Sequence, residues 1–256
     1  MRPRRKARVA VGVVVAIVML AAPRAWAYRP FVSTDAAVAD PKEFEIELGV
    51  LTVDRTGHEN TYTTPSVVLN YGILDRWELV AEFRVQEGST TEVTDPGVSL
   101  KTVLKEGVLQ GKGGLSLAVE IGLLLPSTLN GEGGVGFEGT GIISGRFGPV
   151  MLHANAGGGV DRSDARPFVT WGLIGELPVT EKVRLVSEVN GESARGRRSD
   201  NAVLLGVIWK PSSSNIFVDA AVRRGISGGA PDWEFTAGVT FGFKPASPPR
   251  QGPGSL

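Results

Sequence analysis

Cysteine is absent from all 256 residues. That excludes disulfides, thiolate metal sites and a cysteine nucleophile. It fits the periplasmic side of a bacterial envelope, where an unpaired thiol risks oxidation. Histidine is scarce, with only His58 and His153. No His, Asp and Glu group has metal-ligand spacing, so neither a metal nor any other cofactor is expected. An excess of positive charge is missing too, since 27 basic residues face 27 acidic ones. Beyond residue 27 no apolar run approaches the roughly 20 residues of a spanning helix. If that part of the chain crosses a membrane, it must do so as strands.

The first 27 residues have the pattern of a secretory signal. Arg2, Arg4, Arg5, Lys6 and Arg8 form a basic start, Val9 to Ala22 is apolar and uncharged, and Ala25-Trp26-Ala27 is a small-x-small cleavage site. The expected cleavage after Ala27 makes Tyr28 the new N-terminus. The alternative is an uncleaved anchor helix, for which the apolar run is short. The pair Arg4-Arg5 lacks a following Phe-Leu, and a strand-built membrane protein is exported unfolded, so the general secretory route is favoured. Cleavage removes six of the 27 bases and no acid, leaving a net charge of −6. An acidic chain without a basic patch argues against nucleic-acid binding.

The rest of the chain repeats one pattern, in which segments of about ten residues alternate apolar and polar between turn residues. In Trp77 to Gln86, Trp77, Leu79, Ala81, Phe83 and Val85 oppose Glu78, Val80, Glu82, Arg84 and Gln86. In Trp233 to Phe243, aromatic and aliphatic residues oppose Glu234, Thr236, Gly238, Thr240 and Gly242. Twelve such segments can be read: 43–53, 64–71, 77–86, 98–104, 115–125, 137–146, 150–157, 168–177, 183–191, 202–209, 216–224 and 233–243. Residues 28–42 precede them as a periplasmic lead-in or a plug, and residues 244–256, rich in Pro and Gly, form a tail expected to be disordered.

Alternation alone also builds soluble sandwiches. Four features favour an all-β, transmembrane, antiparallel up-and-down barrel of about twelve strands over residues 43–243. Several segments have the length of a tilted spanning strand. The count is even, and short connections (72–76, 146–149, 178–182, 210–215) alternate with longer polar ones (54–61, 87–95, 126–136, 158–166, 192–200, 225–232). The connection 105–113 breaks the short class. Aromatics sit near strand ends on the apolar face: Tyr71, Trp77, Trp209, Phe241 and Phe243 at one rim, Tyr62, Phe168 and Trp233 at the other. The polar face carries charges of both signs at mid-strand, as the wall of a wet lumen would. The expected lumen-lining residues are Glu45, Glu47, Glu82, Arg84, Lys101, Glu120, His153, Asn155, Arg184, Glu188, Asp219 and Arg223.

The stretch YRPFVSTDAAVADPKEFEIELG (28–49) resembles outer-membrane proteins assigned as transporters of the phenol meta-cleavage degradation pathway. Arg29, Pro30, Phe31, Ser33, Thr34, Asp35, Ala36, Phe44, Glu45 and Glu47 carry the likeness. Weaker echoes occur at Tyr71-Gly72, Trp77-Glu78-Leu79, Asp95-Pro96-Gly97, Leu125-Pro126-Ser127, residues 152–155 and residues 187–192. The resemblance implies a Gram-negative outer-membrane location and passive uptake of small, aromatic or hydrophobic compounds. The partners it implies are outer-membrane lipid and a small-molecule solute. The Pro-rich tail departs from a barrel that ends on its last aromatic.

No catalytic residue is expected. The run Gly134-Val135-Gly136-Phe137-Glu138-Gly139 matches the dinucleotide fingerprint, but more strand pattern follows where that motif needs a helix. His153 and Asn155 share a face, and a barrel hydrolase would need a serine within reach of the histidine. Ser144 in the neighbouring strand is the candidate. Three functions follow: a narrow diffusion channel, a structural or adhesive barrel with a blocked lumen, and a lipid hydrolase. Nothing in the sequence fixes an oligomeric state.

Overall fold

The computed structural model describes residues 29–87, 91–127, 133–211 and 215–245. The signal segment and nearly all of the tail lie outside the described residues. The strands are β1 (Phe44–Thr56), β2 (Glu59–Leu74), β3 (Trp77–Glu87), β4 (Thr91–Lys105), β5 (Ser116–Leu124) and β6 (Gly136–Phe147). They continue as β7 (Val150–Val160), β8 (Pro167–Pro178), β9 (Val183–Ala194), β10 (Asp200–Trp209), β11 (Ile216–Gly225) and β12 (Trp233–Phe243). Each pairs antiparallel with its sequence neighbours, and β1 closes onto β12 from Phe44 opposite Phe243 to Arg55 opposite Trp233. Closure leaves no strand edge with unpaired backbone groups, which a hydrocarbon surrounding demands.

Alternation sorts the two faces as the sequence pattern requires. Leu79, Leu100, Ile121, Leu123, Leu173, Leu205 and Val222 point out and are exposed. Glu78, Lys101, Glu188 and Asp219 point in and are buried. On a water-soluble protein such an apolar outer face would be a large liability. Against lipid tails it is the natural surface.

The strands run longer than the sequence pattern predicts at the end away from the chain's N-terminus. β2 begins at Glu59 rather than Thr64, and β4 at Thr91 rather than Val98. The polar stretches 54–61 and 87–95, read as loops, are therefore mostly strand. Beyond the apolar belt both faces of a hairpin meet water, so the ladder continues while the hydrophobic alternation stops. β1 also carries a bulge, since Gly49 pairs with Gly238 and Leu51 with the adjacent Ala237. The bulge inserts Val50 and resets the faces, with Thr52 and Asp54 turned inward.

One expectation is corrected. Phe168 is only 8 % exposed and points inward, whereas a rim aromatic would point out. Trp171, three residues on, takes the outward place. The connection 105–113, which breaks the short class, folds back into the barrel. Its 3-10 turn, Val108–Gln110, tucks inward and buries Leu109 against Ala36, Ala37, Ile142 and Met151.

Candidate functional site

Residues 29–42 form a strap inside the barrel, held mainly through its backbone. Glu188 of β9 accepts the amides of Val32 (2.9 Å) and Ser33 (2.8 Å), one on each carboxylate oxygen. Asn155 of β7 accepts the Thr34 amide at 3.2 Å and donates to the Thr34 carbonyl at 2.7 Å. Ser144 of β6 accepts the Ala36 amide at 3.0 Å. Gln110 donates to the Ala36 carbonyl at 2.9 Å, and Glu78 of β3 accepts the Ala39 amide. An irregular segment cannot bond itself, so the wall must supply partners for its buried amides.

Side chains fix the two ends of the strap. Arg29 donates to Thr236 (2.8 Å) and Ser66 (3.3 Å) and pairs with Asp219 at 3.4 Å, so one guanidinium reaches β2, β11 and β12. Phe31 packs on Val186, Ile208 and Phe217, an apolar patch on the inner face of β9, β10 and β11. Lys101 of β4 donates to Thr34 at 3.0 Å and lies 4.0 Å from Asp35. At the far end Lys244 pairs with Asp40 at 2.8 Å, a hydrogen bond that holds its ammonium above the usual lysine range.

Two glycines make room for this path. A Cβ on Gly72 would lie 2.0 Å from the Asp40 carbonyl oxygen and 2.6 Å from that of Ala39. A Cβ on Gly238 would lie 2.3 Å from the Arg29 Nε. Real Cβ atoms do not approach so closely, so a side chain at Gly72 would push against the strap's backbone.

All twelve residues read as lumen-lining stand at inward-alternating positions, but the structure splits them into two settings. Glu45, Glu47, Lys101, His153, Asn155, Glu188, Asp219 and Arg223 are buried. Lys101, Asn155, Glu188 and Asp219 contact the strap directly. Glu47 accepts from Asn70 at 2.9 Å, and Arg223 reaches Asp200 (3.0 Å) and Glu234 (3.3 Å). Glu82, Glu120 and Arg184 are half-buried, and Arg84 is exposed beside Asp95 at 3.4 Å. A small recess lies on the inner wall between Glu82, Ser99, Gly122 and Glu138. Sequence reasoning missed Arg29, Asp35, Glu78, Glu138 and Glu176 as site residues, and it considered Ser144 only as a partner of His153. Alternation already put Glu78 on the polar face, so that one was within reach, whereas the glycines around Glu138 blur the pattern of its strand.

His153 stands in a row of polar groups across β6 to β9. Its Nδ1 is 2.8 Å from the Ser144 hydroxyl, its Nε2 is 3.1 Å from Glu176, and Glu176 accepts from Arg184 at 2.7 Å. Serine, histidine and carboxylate in contact are the parts of a nucleophilic relay. Here, however, the serine oxygen already accepts the Ala36 amide, and Ser144 and His153 are fully buried beneath the strap on the inner face. Ser144 ties the row to the strap at the Ala36 amide.

The connections at the opposite end carry their own charge cluster. Arg197 donates to Asp161 (2.8 Å) and Asp164 (3.0 Å), which lifts its pKa further. Burial pushes the Asp161 carboxyl up, but hydrogen bonds from the Ser163 hydroxyl and amide and from Arg197 outweigh it and bring it to about 2. His58, at the tip between β1 and β2, is exposed. The glycine run 134–139 leads into β6 and has no helix after it. Among the described residues no group of three His, Asp or Glu side chains converges to hold a metal ion.

Closed strands, an apolar outer belt and a polar interior define the class of outer-membrane β-barrels. Among solved structures the chain is similar to an outer membrane channel from Pseudomonas putida F1. That likeness has a TM-score of 0.54 at 14% identity, over 81% of this chain and 97% of that one. An anion-selective porin from Comamonas acidovorans gives 0.43 at 10% identity, over 78% of this chain and 98% of that one. At such identities the likeness concerns the fold. No family model and no curated protein sequence matches the chain.

Proposed function

We propose that this protein is an outer-membrane channel for passive uptake of small molecules, with residues 28–42 as a plug entering from the periplasmic end. The observation that carries the proposal is the contrast between the faces of the same strands. Leu79 and Leu100 meet lipid while their neighbours Glu78 and Lys101 line the interior. Inward charges that do not hold the strap, Glu82, Glu120 and Arg84 among them, suit the wall of a wet solute path. The resemblance at residues 28–49 points the solute class toward small aromatic or hydrophobic compounds. The apolar patch of Phe31, Val186, Ile208 and Phe217 beside charged groups suits a ring bearing a polar substituent.

The test is single-channel conductance of the refolded protein in a planar bilayer. Discrete steps that change in size when Arg84 is neutralised are expected. The Glu188→Ala variant, which releases two strap amides, should conduct more. A folded and inserted protein that stays silent in both forms would speak instead for a structural or adhesive barrel. The second reading is a hydrolase, motivated by the contact of Ser144, His153 and Glu176. It requires lipid-ester cleavage that disappears in His153→Ala.

A further inference from the structure

The inner wall of β1 to β3 has an excess of negative charge at its N-terminal end. Glu43, Glu45 and Glu47 alternate inward along β1 and the residue before it, and all are buried. Asp35 and Glu78 face the same region and are 5 % and 1 % exposed. The described bases near these five carboxylates are Lys101, opposite Glu78 in the β3–β4 register and 4.0 Å from Asp35, Arg29, whose charge reaches Glu47, and Lys244, 3.8 Å from Glu43. Three of the acids are incompletely satisfied, Glu43 through its Oε1 among them. Glu45 is 5 % exposed, and its Oε1 has no hydrogen-bond partner. Its charged neighbours, Glu47, Glu78, Asp35 and Glu43, all share its sign. The Oε1 of Glu78 is also without a partner, while its other oxygen accepts the Ala39 amide.

Buried carboxylate oxygens without donors are costly, and like charges around them raise the cost. Gly72 lies between β1 and β3 and has no side chain, and the carbonyls of Ala39 and Asp40 lie directly over it. Unsatisfied carboxylates next to backbone carbonyls, without thiol or imidazole, suit a hard cation. Among the described residues no three acids converge into a chelating cage. That disfavours a tightly wrapped Ca²⁺ and suits Mg²⁺, which keeps several waters and binds through one or two carboxylates.

We propose that a hydrated divalent cation of the Mg²⁺ type binds between Glu45, Glu78 and the Ala39–Asp40 backbone, bridging the strap to the barrel wall. The ion offsets the acid excess and adds to the hydrogen bonds, from Ala39 to Glu78 and from Lys42 to the Gly72 carbonyl, that already join the strap to the wall there. It stands on this geometry alone and does not require the barrel to conduct.

Titration calorimetry of the refolded protein in detergent micelles with MgCl₂ tests this directly. One saturable site is expected. Glu45→Gln and Glu78→Gln should each weaken it by about tenfold or more, and Glu106→Gln, in an exposed pair with Lys112, should leave it unchanged. Added Mg²⁺ should also slow proteolysis of the strap in the parent protein and not in Glu45→Gln. Absence of saturable binding, or equal binding by the Glu45→Gln, Glu78→Gln and Glu106→Gln proteins, overturns the proposal. Both glutamine variants lower the acid excess and are expected to fold. Should one fail, the other decides. Conductance with no Mg²⁺ site would sink this inference and leave the channel standing, and the reverse result would do the opposite.

Discussion

Lys101 and Arg84 are both basic, inward-facing and near the middle of neighbouring strands, yet they live in different media. Lys101 is 1 % exposed and bonded to the strap, while Arg84 is half exposed beside Asp95. The difference is where the strap reaches. At the N-terminal end residues 29–42 fill the barrel, and the wall's polar groups are spent on its amides. Toward the other end the strands run on as long hairpins, and charges there meet one another across water. One alternating pattern thus supports two kinds of chemistry: obligatory buried hydrogen bonds at one end and screened, adjustable ion pairs at the other.

The contrast can be broken most forcefully at Glu188. Replacing it with Ala leaves the Val32 and Ser33 amides without acceptors inside the barrel, a loss of about 2–3 kcal/mol from the strap. Proteolysis or hydrogen exchange of residues 29–42 should accelerate sharply while the strands keep their heat-resistant mobility on gels. Unchanged protection would mean that the strap does not depend on the wall. Gly72→Ala should cost about 1–3 kcal/mol by pressing a methyl group into the Ala39–Asp40 backbone, seen as the same loosening of the strap. Ser144→Ala removes one neutral bond, that to the Ala36 amide, and should cost about 1 kcal/mol.

At the opposite end effects should be small. Arg197→Ala breaks exposed pairs with Asp161 and Asp164 and should change stability by about 0.5 kcal/mol or less, an effect that salt diminishes. Asp161 provides the pH signature. Its carboxyl titrates at about 2 in the folded protein, below its ordinary value. Its contribution is therefore present above the ordinary carboxylate range and is lost as pH falls through about 2. Proteolysis of the 161–166 connection should rise over that acid window in the parent protein, and Asp161→Asn should be open at every pH. A flat parent profile would place the stability of that connection elsewhere.

Much of the wall was legible beforehand. The twelve strands lie where period-two alternation puts them, because lipid outside and water or polar groups inside impose opposite demands on successive residues. The reading stopped short at β2 and β4, whose outer halves have water on both sides and so carry no hydrophobic rhythm. It placed Phe168 on the wrong face, because an aromatic near a strand end reads as a rim residue whether or not the register turns it inward. It could not decide between a lead-in and a plug for residues 28–42.

That last failure has a physical cause. The strap is held by amides of Val32, Ser33, Thr34, Ala36 and Ala39, and an amide is the same in every sequence. Its acceptors lie far off in the chain, on β3, β6, β7 and β9, and come together only when the barrel closes. By itself the sequence determined the strands, their faces and the charges on the inner wall, since these follow from local alternation against a two-sided solvent. The tertiary structure alone decided where those charges are buried, which of them hold the strap, and which carboxylates are left without partners. Those outcomes depend on distances between residues that the chain order keeps apart.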